Sequence, residues 1–570
     1  MPLRRQFLPC LLLLAMLPML PMLAWPAAFA APGIVLEGPD ELVARMTPHL
    51  PEEPPAPRRL QAMLEEMLAT EGYFSPAFTI SEAQGVPRVR VDPGPRTHVA
   101  EVAVGIDGPV DAETKRSLIA AWPLPVGRPF RQEDWSEAKQ QVLSGLLAAA
   151  HAGARLVDSA AEIDARARQA RLTARYDAGP PYRFGALRVT GLHRYPASLV
   201  ARYNRAVEAG DPYREEDLAA LQGALLATPY FAAARVTLDR DGALPGEGGT
   251  LIAPVNVDLR ERPAHRFGFG AGVSSNTGAR VEASYHTSNL FNQAWQFDSG
   301  LRVEQKQQTA YADVMLPPDA RNRRHAFGLM VEASDIQGLR TTRHAFGVQT
   351  TQPRGSVEQR LSLNWERERR RPDGEEESVG RALAANVQWT WRRVDDPIDP
   401  RQGIVLQAQI GGGSKALLSD QNFVRLHGRW LQYIPLGERD SLALRAEAGA
   451  TLAPSRRGIP QDYLFRAGGA GSVRGYSYQS LGVREGSATV GGRYLAVLSV
   501  EATHWISPAW GVAAFIDAGD AADNTGELDP AIGYGLGVRW KSPAGPLGAD
   551  LAYGQRSGEL RIHFALAIPF

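Results

Sequence analysis

The residues best placed to do chemistry lie in Gly468-Gly469-Ala470-Gly471-Ser472-Val473-Arg474-Gly475-Tyr476. A run this rich in glycine carries much chain entropy, packs little and ordinarily forms a loop. Here it presents one guanidinium, Arg474, between Val473 and the pair Gly475-Tyr476. A guanidinium is a recognition group, since its planar fork donates paired hydrogen bonds to carboxylates. Alternation along two downstream segments supplies candidate acceptors. Gly511, Ala513, Phe515, Asp517 and Gly519 share one face of a strand if Val512, Ala514, Ile516 and Ala518 take the other. On the preceding strand Arg493, Ser499 and Glu501 share the polar face, with Tyr494, Leu498 and Val500 opposite. Asp517 and Glu501 are therefore expected side by side as partners of Arg474. The plainer alternative is that all three are solvated charges lining a pore.

Bond-breaking chemistry is not expected. There is no Gly-x-Ser-x-Gly elbow, no His-Glu-x-x-His and no Gly-x-x-x-x-Gly-Lys phosphate loop. His-rich ligand spacing is absent, so no metal or other cofactor is expected. Gly268-Phe269-Gly270 has the look of a nucleotide-binding fragment, but no helix follows it. A catalytic site assembled in space from scattered Asp, Ser and His residues is the lesser alternative.

The elements that must position Arg474 read as a membrane β-barrel over residues 264–570. Ile532, Tyr534, Leu536, Val538 and Trp540 alternate with Gly533, Gly535, Gly537 and Arg539. Leu547, Ala549, Leu551 and Tyr553 alternate with Gly548, Asp550 and Gly554, and Ile562, Phe564, Leu566, Ile568 and Phe570 with Arg561, His563 and Ala565. One apolar face and one small or charged face at period two is the pattern of a strand between lipid and a wet lumen. About 305 residues at roughly 19 per strand and loop give some 16 strands. The arginine loop then folds back into the lumen. The first barrel strand stands apart: Phe267, Phe269, Ala271 and Val273 face one way, and Arg266, Gly268, Gly270 and Gly272 the other. Glycine at these positions leaves few cross-strand contacts and a loosely set register. Closure against the last strand, which carries Ile568 and Phe570, is therefore expected to be a weak seam able to open sideways.

The totals agree. Basic and acidic residues balance at 62 each in 570 residues, which gives no reason to expect nucleic acid. Residues 1–30 read as a secretory signal, with Arg4 and Arg5, an apolar core from Phe7 to Ala24, and Ala28-Phe29-Ala30 at the cleavage site. The single cysteine, Cys10, lies within it, so the exported chain is expected to have neither disulfide nor thiol nucleophile.

Between signal and barrel the chain repeats itself. Val91-Asp92-Pro93-Gly94-Pro95 matches Tyr176-Asp177-Ala178-Gly179-Pro180, and Gly127-Arg128-Pro129-Phe130 matches Gly210-Asp211-Pro212-Tyr213. Glu71-Gly72-Tyr73-Phe74 matches Thr228-Pro229-Tyr230-Phe231 at twice the period. Three β-α-α-β-β units are expected, at 33–95, 96–180 and 181–262. In the third, Leu218, Leu221, Leu225 and Leu226 are expected to form the buried helix face.

The stretch Phe465-Arg466-Ala467-Gly468 through Val473-Arg474-Gly475-Tyr476 resembles the loop motif of the BamA/TamA superfamily of outer-membrane assembly and secretion barrels. Asp395-Asp396-Pro397-Ile398-Asp399-Pro400-Arg401-Gln402-Gly403, Gly491-Gly492-Arg493-Tyr494, Phe515-Ile516-Asp517-Ala518-Gly519-Asp520 and the terminal Phe570 extend the resemblance. It implies α+β POTRA repeats in the periplasm followed by an all-β transmembrane barrel of about 16 antiparallel strands. Three repeats look most like the TamA branch. That likeness implies an inner-membrane-anchored TamB-like partner, outer-membrane protein and autotransporter clients, and contact with lipid bilayer and lipopolysaccharide. The alternative within the superfamily is a two-partner secretion pore exporting one exoprotein through the lumen.

Overall fold

The computed structural model describes residues 33–51, 53–83, 86–542 and 545–566. The expected signal with Cys10, and the terminal Ile568 and Phe570, lie outside the described residues.

Three successive β-α-α-β-β repeats open the chain. The first has β1 (Val35–Glu37), α1 (Asp40–Met46), α2 (Pro57–Thr70), β2 (Ala77–Ala83) and β3 (Val86–Asp92), with β1 parallel to β3 and β2 antiparallel. Pro57 opens α2 at a position where no N–H is needed. Leu60, Leu64 and Leu68, spaced four apart, form its fully buried stripe. The second has β4 (His98–Asp107), α3 (Ala112–Ala120), α4 (Gln132–Ala148), β5 (Arg155–Asp164) and β6 (Gln169–Asp177) in the same arrangement. Asp111 caps α3 by accepting from the amides of Glu113 and Thr114. Trp135, Ala138, Val142 and Leu146 bury α4 against Leu172, Ala174 and Tyr176 of β6.

Glu71, at the end of α2, ties the first two repeats together. It accepts from Arg131 Nε at 3.1 Å and from Arg45 Nη1 at 3.0 Å. Burial alone pushes its carboxyl up. The two guanidinium groups outweigh that and hold it below the usual carboxylate range.

The third repeat has β7 (Tyr182–Thr190), α5 (Ser198–Tyr203), α6 (Glu215–Leu226), β8 (Phe231–Leu238), the short β9 (Leu244–Pro245) and β10 (Leu251–Glu261). Leu218, Leu221 and Leu225 are buried, whereas Leu226 is exposed, contrary to the expectation from sequence. It follows Leu225 directly, so a 3.6-residue helix turns it about 100° off the apolar stripe. Two compact units emerge. One runs to Ala186 and includes Glu208–Glu216 and Asp239–Pro254; the other comprises Leu187–Val207, Asp217–Leu238 and everything from Val255. The third repeat thus contributes to both. Within the second unit Tyr195 and Tyr230 stack edge-on at 5.1 Å. Their hydroxyls reach Ser288 Oγ and the carbonyl of Ala294, both at 2.8 Å.

The barrel sheet has sixteen antiparallel strands. They are β11 (His265–Ser274), β12 (Gly278–Leu290), β13 (Trp295–Glu304), β14 (Gln307–Met315), β15 (Arg324–Ile336), β16 (Leu339–Arg354), β17 (Val357–Pro372) and β18 (Ser378–Val394). Next come β19 (Gly403–Gly413), β20 (Phe423–Leu436) and β21 (Asp440–Leu452), then β24 (Tyr494–Trp505), β25 (Trp510–Ala522), β26 (Ala531–Ser542), β27 (Gly545–Gly554) and β28 (Glu559–Leu566). A small hairpin, β22 (Val483–Glu485) with β23 (Ala488–Val490), sits in the long connection between β21 and β24. Alternation puts Leu498, Leu536 and Ile562 on the lipid side, each at least 60% exposed.

The sheet is nearly closed. Among the described residues no ladder joins β11 to β28. The backbone N–H of Phe564 donates to Ser275 Oγ at 3.3 Å, just past the end of β11. Phe267 and Phe269 are 71% and 86% exposed; on the other face Gly270 is exposed, and Gly268 and Gly272 are half-buried beside Ser284 and Arg280 of β12.

Candidate functional site

The connection 453–493 folds into the lumen, and Arg474 lies at its centre. Its side chain is 7% exposed. Nε and Nη2 donate to the two oxygens of Asp517 at 2.7 and 2.9 Å, the forked pairing that only a guanidinium makes. Nη1 reaches Glu501 at 2.6 Å and Asp550 at 3.2 Å. The guanidinium carbon stands 3.4 Å above the centre of the Phe515 ring. The Arg474 amide also donates to Asp517, at 3.0 Å. Ser499, the register partner of Asp517, donates to it at 2.6 Å.

The neighbouring residues complete the grip. Val473 is fully buried. The Gly475 amide donates to His563 Nε2 on β28 at 3.0 Å, so that nitrogen carries no proton. Gly475 has φ of +91°, and a Cβ there would lie 2.7 Å from the Gly554 amide nitrogen. The Tyr476 hydroxyl donates to the Ile532 carbonyl at 2.9 Å. Gly533 on β26 is equally constrained, because a Cβ would stand 1.8 Å from the Arg474 carbonyl oxygen. Arg539 bonds both Glu501 and Asp550, which balances the carboxylates. The tip is therefore fastened to every strand from β24 to β28.

A second grip lies on the other side of the lumen. Glu368 on β17 accepts from the Gln461 amide, 3.2 Å to each oxygen. Arg370 makes a paired contact with Glu485 at 3.3 Å. Arg343 on β16 pairs with Asp462. Three buried polar atoms here, Arg343 Nε, Glu366 Oε1 and Gln461 Nε2, have no hydrogen-bond partner among the described residues. The arrangement does what ion pairs behind a barrel wall can do: fix a long loop inside a lumen.

A family model for the Omp85 superfamily domain matches residues 263–570. The chain belongs to the Omp85 superfamily. A 190-residue stretch is 28% identical to the outer membrane protein assembly factor BamA of Nitratidesulfovibrio vulgaris, covering 32% of this chain and 24% of that protein. The chain thus aligns with about a quarter of that relative's length. In fold it is similar to BamA from Haemophilus ducreyi lacking POTRA domains 1–3, with a TM-score of 0.69, 16% identity, 82% of this chain and 99% of that one. CdiB from Acinetobacter baumannii overlaps at a TM-score of 0.46 and 13% identity, over 89% of this chain and 96% of that one. That overlap is too loose to weigh between functions.

This Omp85 protein is an outer-membrane β-barrel with periplasmic POTRA repeats. Of the residues singled out by sequence, Val473, Arg474, Gly475, Tyr476, Glu501 and Asp517 meet at one point. Phe267, Gly268, Gly270 and Gly272 lie on β11, which pairs with β12 and stands across the seam from β28. Arg493 stands apart from Ser499 and Glu501. It precedes β24 and bonds Asp523 at 3.0 Å. Asp550 and His563 also bond the loop tip, and sequence reasoning left both unassigned. Both already stood on polar faces in the alternation, but the height at which each strand meets the loop depends on the barrel's stagger. The Asp395–Gly403 motif forms a tight periplasmic turn, in which Asp395 accepts from the amides of Arg401 and Gln402.

Proposed function

We propose that this protein is an outer-membrane translocation and assembly factor, which helps insert or secrete β-barrel proteins and autotransporters through the seam between β11 and β28. The observation that supports the reading most is the pair of unsatisfied edges. β11 exposes Phe267, Phe269 and Val273 on its outer face and lacks a ladder to β28 among the described residues. An edge of free N–H and C=O groups is a template for another strand. The repeats would receive clients in the periplasm, together with an inner-membrane-anchored TamB-like partner. On this reading the protein is not an enzyme and needs no cofactor. Export of a single exoprotein through the lumen, the two-partner pore, is less favoured, because the 453–493 loop occupies that route and is bonded to both walls.

The test is a reversible lock. Ser275→Cys and Phe564→Cys place thiols at the one described contact across the seam, on a Cys10→Ser background. Oxidation should abolish insertion of a client barrel into liposomes, and reductant should restore it. Full activity of the locked protein would overturn the proposal.

A further inference from the structure

The outer surface of β16–β18 carries a feature that the seam reading leaves unused. Above the apolar belt, at the end of these strands away from the periplasmic turns, the lipid-facing positions become basic. Arg367, Arg369 and Arg371 alternate outward along β17, each exposed, while Glu366, Glu368 and Arg370 point into the lumen. Register places Arg367 between His344 on β16 and Arg381 on β18, and Arg371 opposite Arg340. One row lower the same strands present Phe346, Trp365 and Leu383. Like charges directly across a ladder repel, with Cβ atoms only about 5 Å apart. The protein offsets part of this: Arg381 leans on Asp420 at 3.5 Å, Arg369 on Glu377 at 3.3 Å, and Arg340 on Asp335 and Asp373. Among the described residues Arg367 and Arg371 have no ion-pair partner.

We infer that this patch binds the phosphorylated headgroup of a lipid in the outer leaflet, with Arg367 and Arg371 as its principal contacts. Three strands span about 10 Å across the patch, wide enough for a headgroup bearing two phosphates. Guanidinium forks suit phosphate oxygens, and the arginine row lies directly beyond the outward Phe346, Trp365 and Leu383, the side on which an apolar and aromatic belt meets headgroups. Phe346, Trp365 and Leu383 would then lie along the acyl chains. β17 is the seventh strand of sixteen, so the contact holds lipid on the wall opposite the seam.

The experiment uses the full chain in phosphatidylcholine nanodiscs doped with bisphosphorylated, monophosphorylated or unphosphorylated lipid A. Lipid retained through detergent purification is counted by native mass spectrometry. The wild type should retain the bisphosphorylated form best. Arg367→Ala/Arg371→Ala should retain about twenty-five-fold less, at about fivefold per arginine. Arg354→Ala/Arg393→Ala, at the periplasmic end, should match the wild type. Only variants that still show the folded barrel's gel mobility are compared. Arg367→Gln/Arg371→Gln, which keeps side-chain bulk, should reproduce the loss if the alanine pair misfolds. Equal retention by wild type and double variant, or no preference for phosphate, overturns the inference. So does release of lipid by chelator from both proteins alike, which would assign binding to a cation bridged by Asp335 and Asp373. Displacement by millimolar inorganic phosphate would show a free-anion site and overturn the lipid assignment.

Discussion

The lumenal loop is held at two places that handle buried charge differently. On the seam side one guanidinium collects Asp517, Glu501 and Asp550 and has an aromatic floor, with every bonded oxygen on the barrel wall. On the back wall the contacts are spread over Glu368, Arg370 and Arg343, with no single residue at the centre. A grip gathered on one guanidinium is lost all at once when that centre is removed. A distributed one should yield by degrees. The wall beside the seam is thus braced stiffly, and the opposite wall softly.

Removing the centre is the strongest way to test that contrast. Arg474→Ala leaves three carboxylates facing one another with Arg539 alone, a loss of about 3–5 kcal/mol. The melting of the folded gel band should fall sharply and client assembly should fail. Lysine should recover less than half of either, since it cannot fork across Asp517. Next, Gly533→Ala pushes a methyl into the Arg474 carbonyl and should cost roughly 2–3 kcal/mol by displacing the tip without touching a charge. If it melts like the wild type, close backbone approach is not part of the grip. On the back wall Glu368→Ala removes the acceptor of the Gln461 amide and should cost about 1–2 kcal/mol. A loss as large as that for Arg474→Ala would erase the distinction between the two grips.

The smallest effect belongs to an ion pair away from both. Glu71 has a depressed carboxyl in the folded repeats, so its contribution is complete above the ordinary value of 4.5 and disappears as pH falls through the lower folded value. Glu71→Gln should therefore reduce protection of the α4 amides from hydrogen exchange by under about 1 kcal/mol at roughly pH 7. Wild type and variant should converge in strong acid. A gap that widens on acidification would contradict the assignment.

Much of this was legible in the residues. Alternation alone placed Asp517 and Glu501 on one lumenal face, and the loop's glycines marked where Arg474 would stand. The spacing of strand-like segments gave a barrel of the observed size. What could not be read was height. Asp550 and His563 lie 76 and 88 residues from their loop partners. Which lumenal residue meets the loop is fixed by stagger around the whole cylinder rather than by local pattern. The β22–β23 hairpin escaped notice because three-residue strands leave no period to detect. The back-wall grip escaped because Arg367-Glu368-Arg369-Arg370 reads as a solvated charge run until the pleat divides it between two faces.

The bond from the Gly475 amide to His563 has a consequence for how the molecule is made. The last stave of the cylinder accepts a hydrogen bond from a loop residue that leaves the ribosome 88 positions earlier. A contact so distant along the chain forms slowly. The imidazole can find its donor only once the loop is tucked inside and the last stave is seated, so stopper and stave secure each other. A loop delayed outside would leave that last stave without this bond to the interior.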